Sequence, residues 1–384
     1  MERDTLLQHL GEEYKPHGAV VPPIFQNSLF VFDTYAEFSA AQSGKPTDSP
    51  YHYSRISNPT VDIVNKKLAM LEGTEAALVF GSGMAAISSA IMSCIASGSH
   101  VIAVDTCYGP TRNFIEKYLP KLGVTSTFVD GLSPESILDA IQPNTRLVYL
   151  ESPGSIIFRL QDLEAVTKVC REKKIETIID NSYASPIHQQ PAKFGVDMVV
   201  HSATKYLCGH SDVVAGALCG SEEKIRAIMI GGELEYFGSI LPPFPAWLML
   251  RGLRTLKLRI KHHAQTAHEL AVWLRERPEV ERVFHVGFVE GRQKELFEKQ
   301  MTGTGGLVTF QPKSQDPKQL EAFIDALTVF QLGVSWGGFE SLSVPLHFQQ
   351  LPEPRYLVRL YCGLEDPSDL RSDLDQAFRL TMPT

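Results

Sequence analysis

The chain has 384 residues, 43% of them hydrophobic, with 36 basic against 44 acidic side chains and a formal net charge of −8. That is enough apolar material for a sizeable core, and without a Lys/Arg-rich block it sets a nucleic-acid binder aside. No apolar run reaches the roughly 18 residues of a membrane span.

The N-terminal MERDTLLQHLGEEYKP is charged and lacks the apolar centre of a signal peptide. Residues 1–50 mix short apolar pieces with turn formers such as Val21-Pro22-Pro23, and read as an arm rather than a compact unit. From about residue 58, helical stretches alternate with short apolar runs. These runs are Ala76–Phe80, Val101–Val104, Thr127–Val129, Leu147–Leu150, Thr177–Ile179, Met198–Val200 and Ala215–Cys219. Short buried runs separated by helices predict a mostly parallel seven-stranded sheet covered on both faces, an α/β fold. After Pro242–Pro245 the pattern changes. A long helix is expected from about Ala246 to Arg277, then strands at Val280–Val286 and Gly306–Gln311, a helix at Pro317–Leu327, further short strands, and a last helix near Pro367–Leu380. The expected division is an arm at 1–50, a large domain at 51–243 and a smaller α+β domain at 244–384.

The six cysteines (Cys94, Cys107, Cys170, Cys208, Cys219, Cys362) are scattered and form no CxxC pair. Neither zinc nor a disulfide framework is expected, and a reducing cytoplasm is the simplest setting. His262, His263 and His268 share a helix, but no two are three or four apart, so they do not form a ligand face.

Ligands of open α/β sheets sit beyond the carboxyl ends of the strands. Polar residues follow four of the predicted strands. They are Gly81-Ser82-Gly83-Met84-Ala85-Ala86, Glu151-Ser152-Pro153-Gly154-Ser155, Asp180-Asn181-Ser182-Tyr183 and His201-Ser202-Ala203-Thr204-Lys205-Tyr206. Taken singly, each has an ordinary reading as a turn, a helix cap or a solvated lysine. Together they place a phosphate-ready helix start, hydroxyls, a carboxylate and an amine around one crevice. There is no GxxxxGK[ST], and GSGMAA lacks the GxGxxG spacing.

HSATKYLCGHSDVVAG (His201–Gly216) resembles the lysine signature of the Cys/Met-metabolism family of pyridoxal-5'-phosphate (PLP) enzymes. YSRISNPT (Tyr53–Thr60), CYGPT (Cys107–Thr111), RGLRTL (Arg251–Leu256), SWGGFESL (Ser335–Leu342) and VRLYCGLED (Val358–Asp366) extend the likeness over nearly the whole chain. The resemblance implies the fold type I, PLP-dependent transferase-like architecture. It implies that Lys205 holds PLP, that Asp180 pairs with the ring nitrogen, and that Tyr108 stacks on the ring. The backbone of Gly83 and Met84, with the side chains of Ser202 and Thr204, would bind the phosphate. Tyr53 and Arg55 would reach the phosphate of a neighbouring subunit, which implies at least a homodimer and usually a homotetramer. Arg359, with Ser335 and Trp336, would face the substrate. An arginine fork suits a carboxylate, a desolvated lysine is a better nucleophile, and an Asp beside the ring nitrogen keeps it protonated.

The family acts on sulfur-containing amino acids. ESPGS, SWGG and Pro110 of CYGPT resemble cystathionine β-lyases, which form pyruvate, ammonia and homocysteine. YSRISNPT resembles the γ-type enzymes, so γ-elimination or γ-replacement stands as the alternative. A non-catalytic PLP-binding protein is a further alternative, set against the presence of Lys205, Asp180 and Arg359 together. Tyr236, within Glu233–Leu241, is a pocket candidate without an assigned role.

Overall fold

The computed structural model describes residues 1–43 and 51–382. The end of the expected arm, 44–50, therefore lies outside the described residues. All seven predicted runs are strands of one sheet: β1 (Ala76–Phe80), β2 (His100–Val104), β3 (Thr125–Val129), β4 (Thr145–Glu151), β5 (Glu176–Asp180), β6 (Met198–His201) and β7 (Gly216–Gly220). Their order is β1-β7-β6-β5-β4-β2-β3. Pairing is parallel from β6 through β3, while β7 runs antiparallel to β6 and β1. Strands β2 and β7 are buried along their whole length, as expected of strands covered by helices on both faces, which show no polar alternation.

Turn chemistry sets the helices that cover this sheet. The helix Pro59–Glu72 begins with Asn58 accepting the Thr60 N–H and Pro59 in its first turn, and it ends at Gly73 with φ 72°. The helix Gly83–Met92 begins with Ser82 accepting the Ala85 N–H.

A second sheet has the order β10-β11-β12-β9-β8 and is antiparallel except at β10–β11. Its strands are β8 (Val280–Phe284), β9 (Leu307–Pro312), β10 (Gln331–Leu332), β11 (Leu342–Phe348) and β12 (Arg355–Tyr361). Its two faces are used differently. Val308, Phe310, Val358 and Leu360 join Phe323 and Phe378, from the helices Pro317–Ala326 and Pro367–Thr381, in a core of their own. Leu307, Leu357 and Tyr361, on the alternate face, belong to the core of the large sheet. Period-two alternation therefore aims Arg359, between Leu357 and Tyr361, toward the large sheet.

Two expectations are corrected. The long helix is two helices, Pro243–Arg254 and Leu256–Arg275, broken at Thr255 (φ −107°, ψ 4°). At the break the Gly252 carbonyl accepts the Thr255 N–H at 3.2 Å, and buried Arg259 also donates to it at 2.8 Å and to the Tyr206 carbonyl at 2.9 Å. The strand at 280 stops at Phe284, and Val286–Phe288 forms a 3₁₀ turn.

Candidate active site

Three strand ends of the large sheet and two segments of the small sheet meet at Lys205. Its Nζ donates to Ser335 Oγ at 2.6 Å and lies 5.6 Å from the centre of the Trp336 ring. Burial, then the charge of Arg359, pull the amine down to about 8, so a substantial neutral fraction exists near neutral pH. Gly337 (φ +92°) lies directly on the Lys205 backbone. A Cβ there would stand 2.7 Å from the Lys205 carbonyl carbon, so only glycine fits.

Asp180 ends β5 and is buried. It accepts the Ser182 N–H at 2.9 Å and the Ser182 hydroxyl at 2.6 Å. The Ser182 hydroxyl oxygen also accepts the Ser202 N–H at 2.7 Å, tying β5 to the lysine loop. Burial pushes the Asp180 carboxyl up from its ordinary value, against the Ser182 hydrogen bonds and nearby His201 and Lys205.

Glu151 ends β4 and stands in register with Asp180. It accepts the backbone N–H of Tyr108 at 2.7 Å. Burial, and then the Asp180 charge, push this carboxyl up; hydrogen bonds from Tyr108 and Ser155 oppose the shift. No role was expected for Glu151, although it opens the ESPGS motif. A charged residue ending an apolar strand, as Asp180 does, is the signal that could have found it.

Arg359 is buried and donates to the Val334 carbonyl at 2.9 Å. Burial lowers its guanidinium to about 10, with Tyr108 and Glu151 opposing. Tyr108 is 47% exposed, so its ring is free to cover a planar group. Trp336 is buried with its ring at 63° to that of Tyr206, centroids 5.2 Å apart. It packs on Tyr206 and faces the Lys205 amine.

The phosphate expectation can be tested on the backbone. Ser82 takes the Ala85 N–H, leaving the N–H groups of Gly83 and Met84 at the positive end of a ten-residue helix without a protein partner among the described residues. A Cβ on Gly83 would stand 3.0 Å from Ser202 Cβ and Oγ, so this glycine leaves a cradle beside the Ser202 hydroxyl. Thr204 is less available: its hydroxyl donates to the Ala215 carbonyl at 3.1 Å and accepts the Ala215 N–H at 2.9 Å. Tyr53 and Arg55 lie in a separate cavity of about 430 Å³ with Asn27 and Ile240, and the guanidinium of Arg55 stands 5.2 Å from the Tyr53 ring centre. Ile240 bridges to Phe80 at the end of β1. Tyr236 is 73% exposed.

A helix start for an anion, a buried carboxylate and a lysine of lowered pKa fit PLP: phosphate, ring nitrogen and aldehyde each find a counterpart, and buried Arg359 lies beside them with no carboxylate partner among the described residues. The fold and this donor set define a PLP-dependent enzyme. The sequence pattern described as Cys/Met metabolism PLP-dependent enzyme matches residues 4–379, and the chain belongs to that family. It is 38% identical to an L-methionine gamma-lyase of Porphyromonas gingivalis, over 95% of this chain and 94% of that one. It is 34% identical to an L-alanine/L-glutamate racemase of Wolbachia pipientis, over 98% and 97%. The crystal structure of metB from Corynebacterium glutamicum superimposes with a TM-score of 0.90 at 31% identity, covering 99% of this chain and 98% of that one. The expectations of a fold type I architecture, of PLP as cofactor, and of a carbon–sulfur lyase as the enzyme class agree with the family and with the lyases among its relatives. Among the described residues, no helix is long and apolar enough to cross a membrane.

Proposed function

We propose that this chain cleaves the carbon–sulfur bond of L-cystathionine by β-elimination, giving homocysteine, pyruvate and ammonia. The observation that carries the reading is the convergence of Lys205 Nζ, Ser335, Asp180 and buried Arg359 at the junction of the two sheets. Lys205 holds the cofactor and, once released, takes the proton from substrate Cα; a pKa near 8 suits that exchange. When bound, PLP supplies the electron-accepting ring that stabilises the charge left at Cα. Asp180 holds the proton on the ring nitrogen. Arg359, which has no carboxylate partner among the described residues, clamps the substrate carboxylate and fixes its orientation. Ser335 Oγ accepts a hydrogen bond from Lys205 Nζ and so fixes its rotamer. Gly83, Met84 and Ser202 cradle the phosphate. Residues 51–243 carry the cofactor, 244–384 carry the carboxylate clamp, and the arm at 1–50 with Tyr53 and Arg55 completes the site of a neighbouring subunit in a homotetramer. A cytoplasmic setting suits six cysteines that are all free.

ESPGS and SWGG favour β-elimination. The second reading, γ-elimination, is favoured by the 38% identity to a methionine gamma-lyase. It needs a second deprotonation, at Cβ, which the same Lys205 can perform. Product analysis with L-cystathionine separates them: pyruvate and homocysteine support β-elimination, whereas 2-oxobutyrate and cysteine overturn it in favour of the γ reading.

A further inference from the structure

The edge strand β8 faces the loop that follows β4 across a cavity of about 620 Å³, none of whose lining residues belongs to the Lys205 site. Three arginines line it: Arg159, Arg275 and Arg282. Arg275 and Arg282 form no ion pair among the described residues. Each lays its guanidinium over an aromatic ring instead, Arg275 over Phe288 at 4.8 Å and Arg282 over Phe284 at 4.6 Å. Glu281 and Glu290 also line the cavity, leaving a net positive lining. Behind them lies His285, only 2% exposed. Its Nδ1 accepts the Gly287 N–H at 3.1 Å, so the ring proton sits on Nε2, which is closed off from the cavity and has no partner among the described residues. Burial holds this imidazole neutral, with its pKa down at about 4.

We infer that this cavity binds a small organic anion carrying an apolar ring, and that its occupancy is felt at the catalytic loop through Arg159. The anionic group meets the guanidinium groups of Arg275 and Arg282, and the ring lies among Phe284, Phe288 and the arginine planes. Arg159 is the link. Its guanidinium is 3.4 Å from Asp105 Oδ1, three residues before Tyr108, and its carbonyl accepts the Gly154 N–H of ESPGS at 3.1 Å. An anion that draws Arg159 from Asp105 loosens the segment carrying Tyr108.

The test is calorimetric titration of the holoenzyme with naphthalene-1-sulfonate, alongside the double variant Arg275→Ala/Arg282→Ala, whose basal turnover is expected to be unchanged. The inference expects one site per chain and an affinity at least ten-fold weaker in the double variant. It also expects a change in kcat or KM on adding the probe that the double variant lacks. Equal affinity in both proteins overturns it, as does absence of binding up to millimolar probe. Complete, strictly competitive displacement of the probe by a substrate analogue also overturns it, because the probe would then occupy the Lys205 site; a bounded change in probe affinity is the reciprocal of the expected coupling and supports it. Binding is read without turnover, so failure of the lyase reading leaves this test intact.

Discussion

The seven-stranded sheet presents its site residues at strand ends and in the loops just beyond, whereas the five-stranded sheet presents Arg359 from within β12 and Ser335 from the loop before β11. The difference follows from sheet type. Parallel strands covered on both faces are mostly apolar through their middles, so the charged Glu151 and Asp180 come at the last position, and Ser202 and Lys205 beyond it. The antiparallel sheet has two distinct faces, and the one turned toward the large sheet can carry a buried arginine between Leu357 and Tyr361. On the proposed reading, chemistry that must move a proton is thus built on the edge of one sheet, and substrate orientation on the face of the other.

The largest effect should come from the large sheet. Lys205→Ala should lower turnover on the order of 10⁴-fold or more and abolish the visible absorption of the PLP-loaded protein; retained colour and turnover would place the cofactor elsewhere. On the small sheet, Arg359→Lys keeps the charge but loses the fork, and kcat/KM should fall about 10²-fold, roughly 2.7 kcal/mol. Most of that loss should appear in KM. A loss wholly in kcat would break the division between chemistry and orientation. Glu151→Gln keeps an acceptor for the Tyr108 N–H and removes a charge beside Asp180, so kcat/KM should fall only about ten-fold; Glu151→Ala should fall further, and equal effects would deny Glu151 the positioning of Tyr108. The smallest effect is a shifted midpoint. The neutral amine of Lys205 captures PLP, and its pKa is lowered. Recapture by apo-enzyme should therefore speed up with rising pH and level off above about 8, not near the ordinary lysine value of about 10.4. Stopped-flow absorbance across pH 6–11 reads it directly.

The same contrast explains what the sequence disclosed. Uninterrupted apolar runs located all seven strands of the large sheet, and the polar residues just after them pointed to the crevice at Lys205. Arg359 was assigned from resemblance, because nothing in the spacing of VRLYCG says which face of β12 meets the other sheet. The break at Thr255 was hidden because apolar periodicity continues across it. What accompanies the break is a hydrogen bond from Arg259 back to Gly252 and the close approach of Gly252 to the Cys208 carbonyl, where a Cβ would stand 2.2 Å away. Trp336, expected from resemblance to face the substrate, also packs against the Tyr206 ring, a contact that spacing in the sequence does not disclose. Glu151 was passed over because one acidic residue after an apolar run ordinarily caps a turn; its register with Asp180 is a property of the folded sheet.

The most direct test of the account is to locate the cofactor. Holoenzyme is reduced with borohydride, digested and mapped by mass spectrometry. The account predicts one phosphopyridoxyl group, on Lys205, with its yield reduced when Asp180 is changed to Asn. A label on any other lysine, or an unlabelled Lys205 in a protein that still turns over, would contradict it.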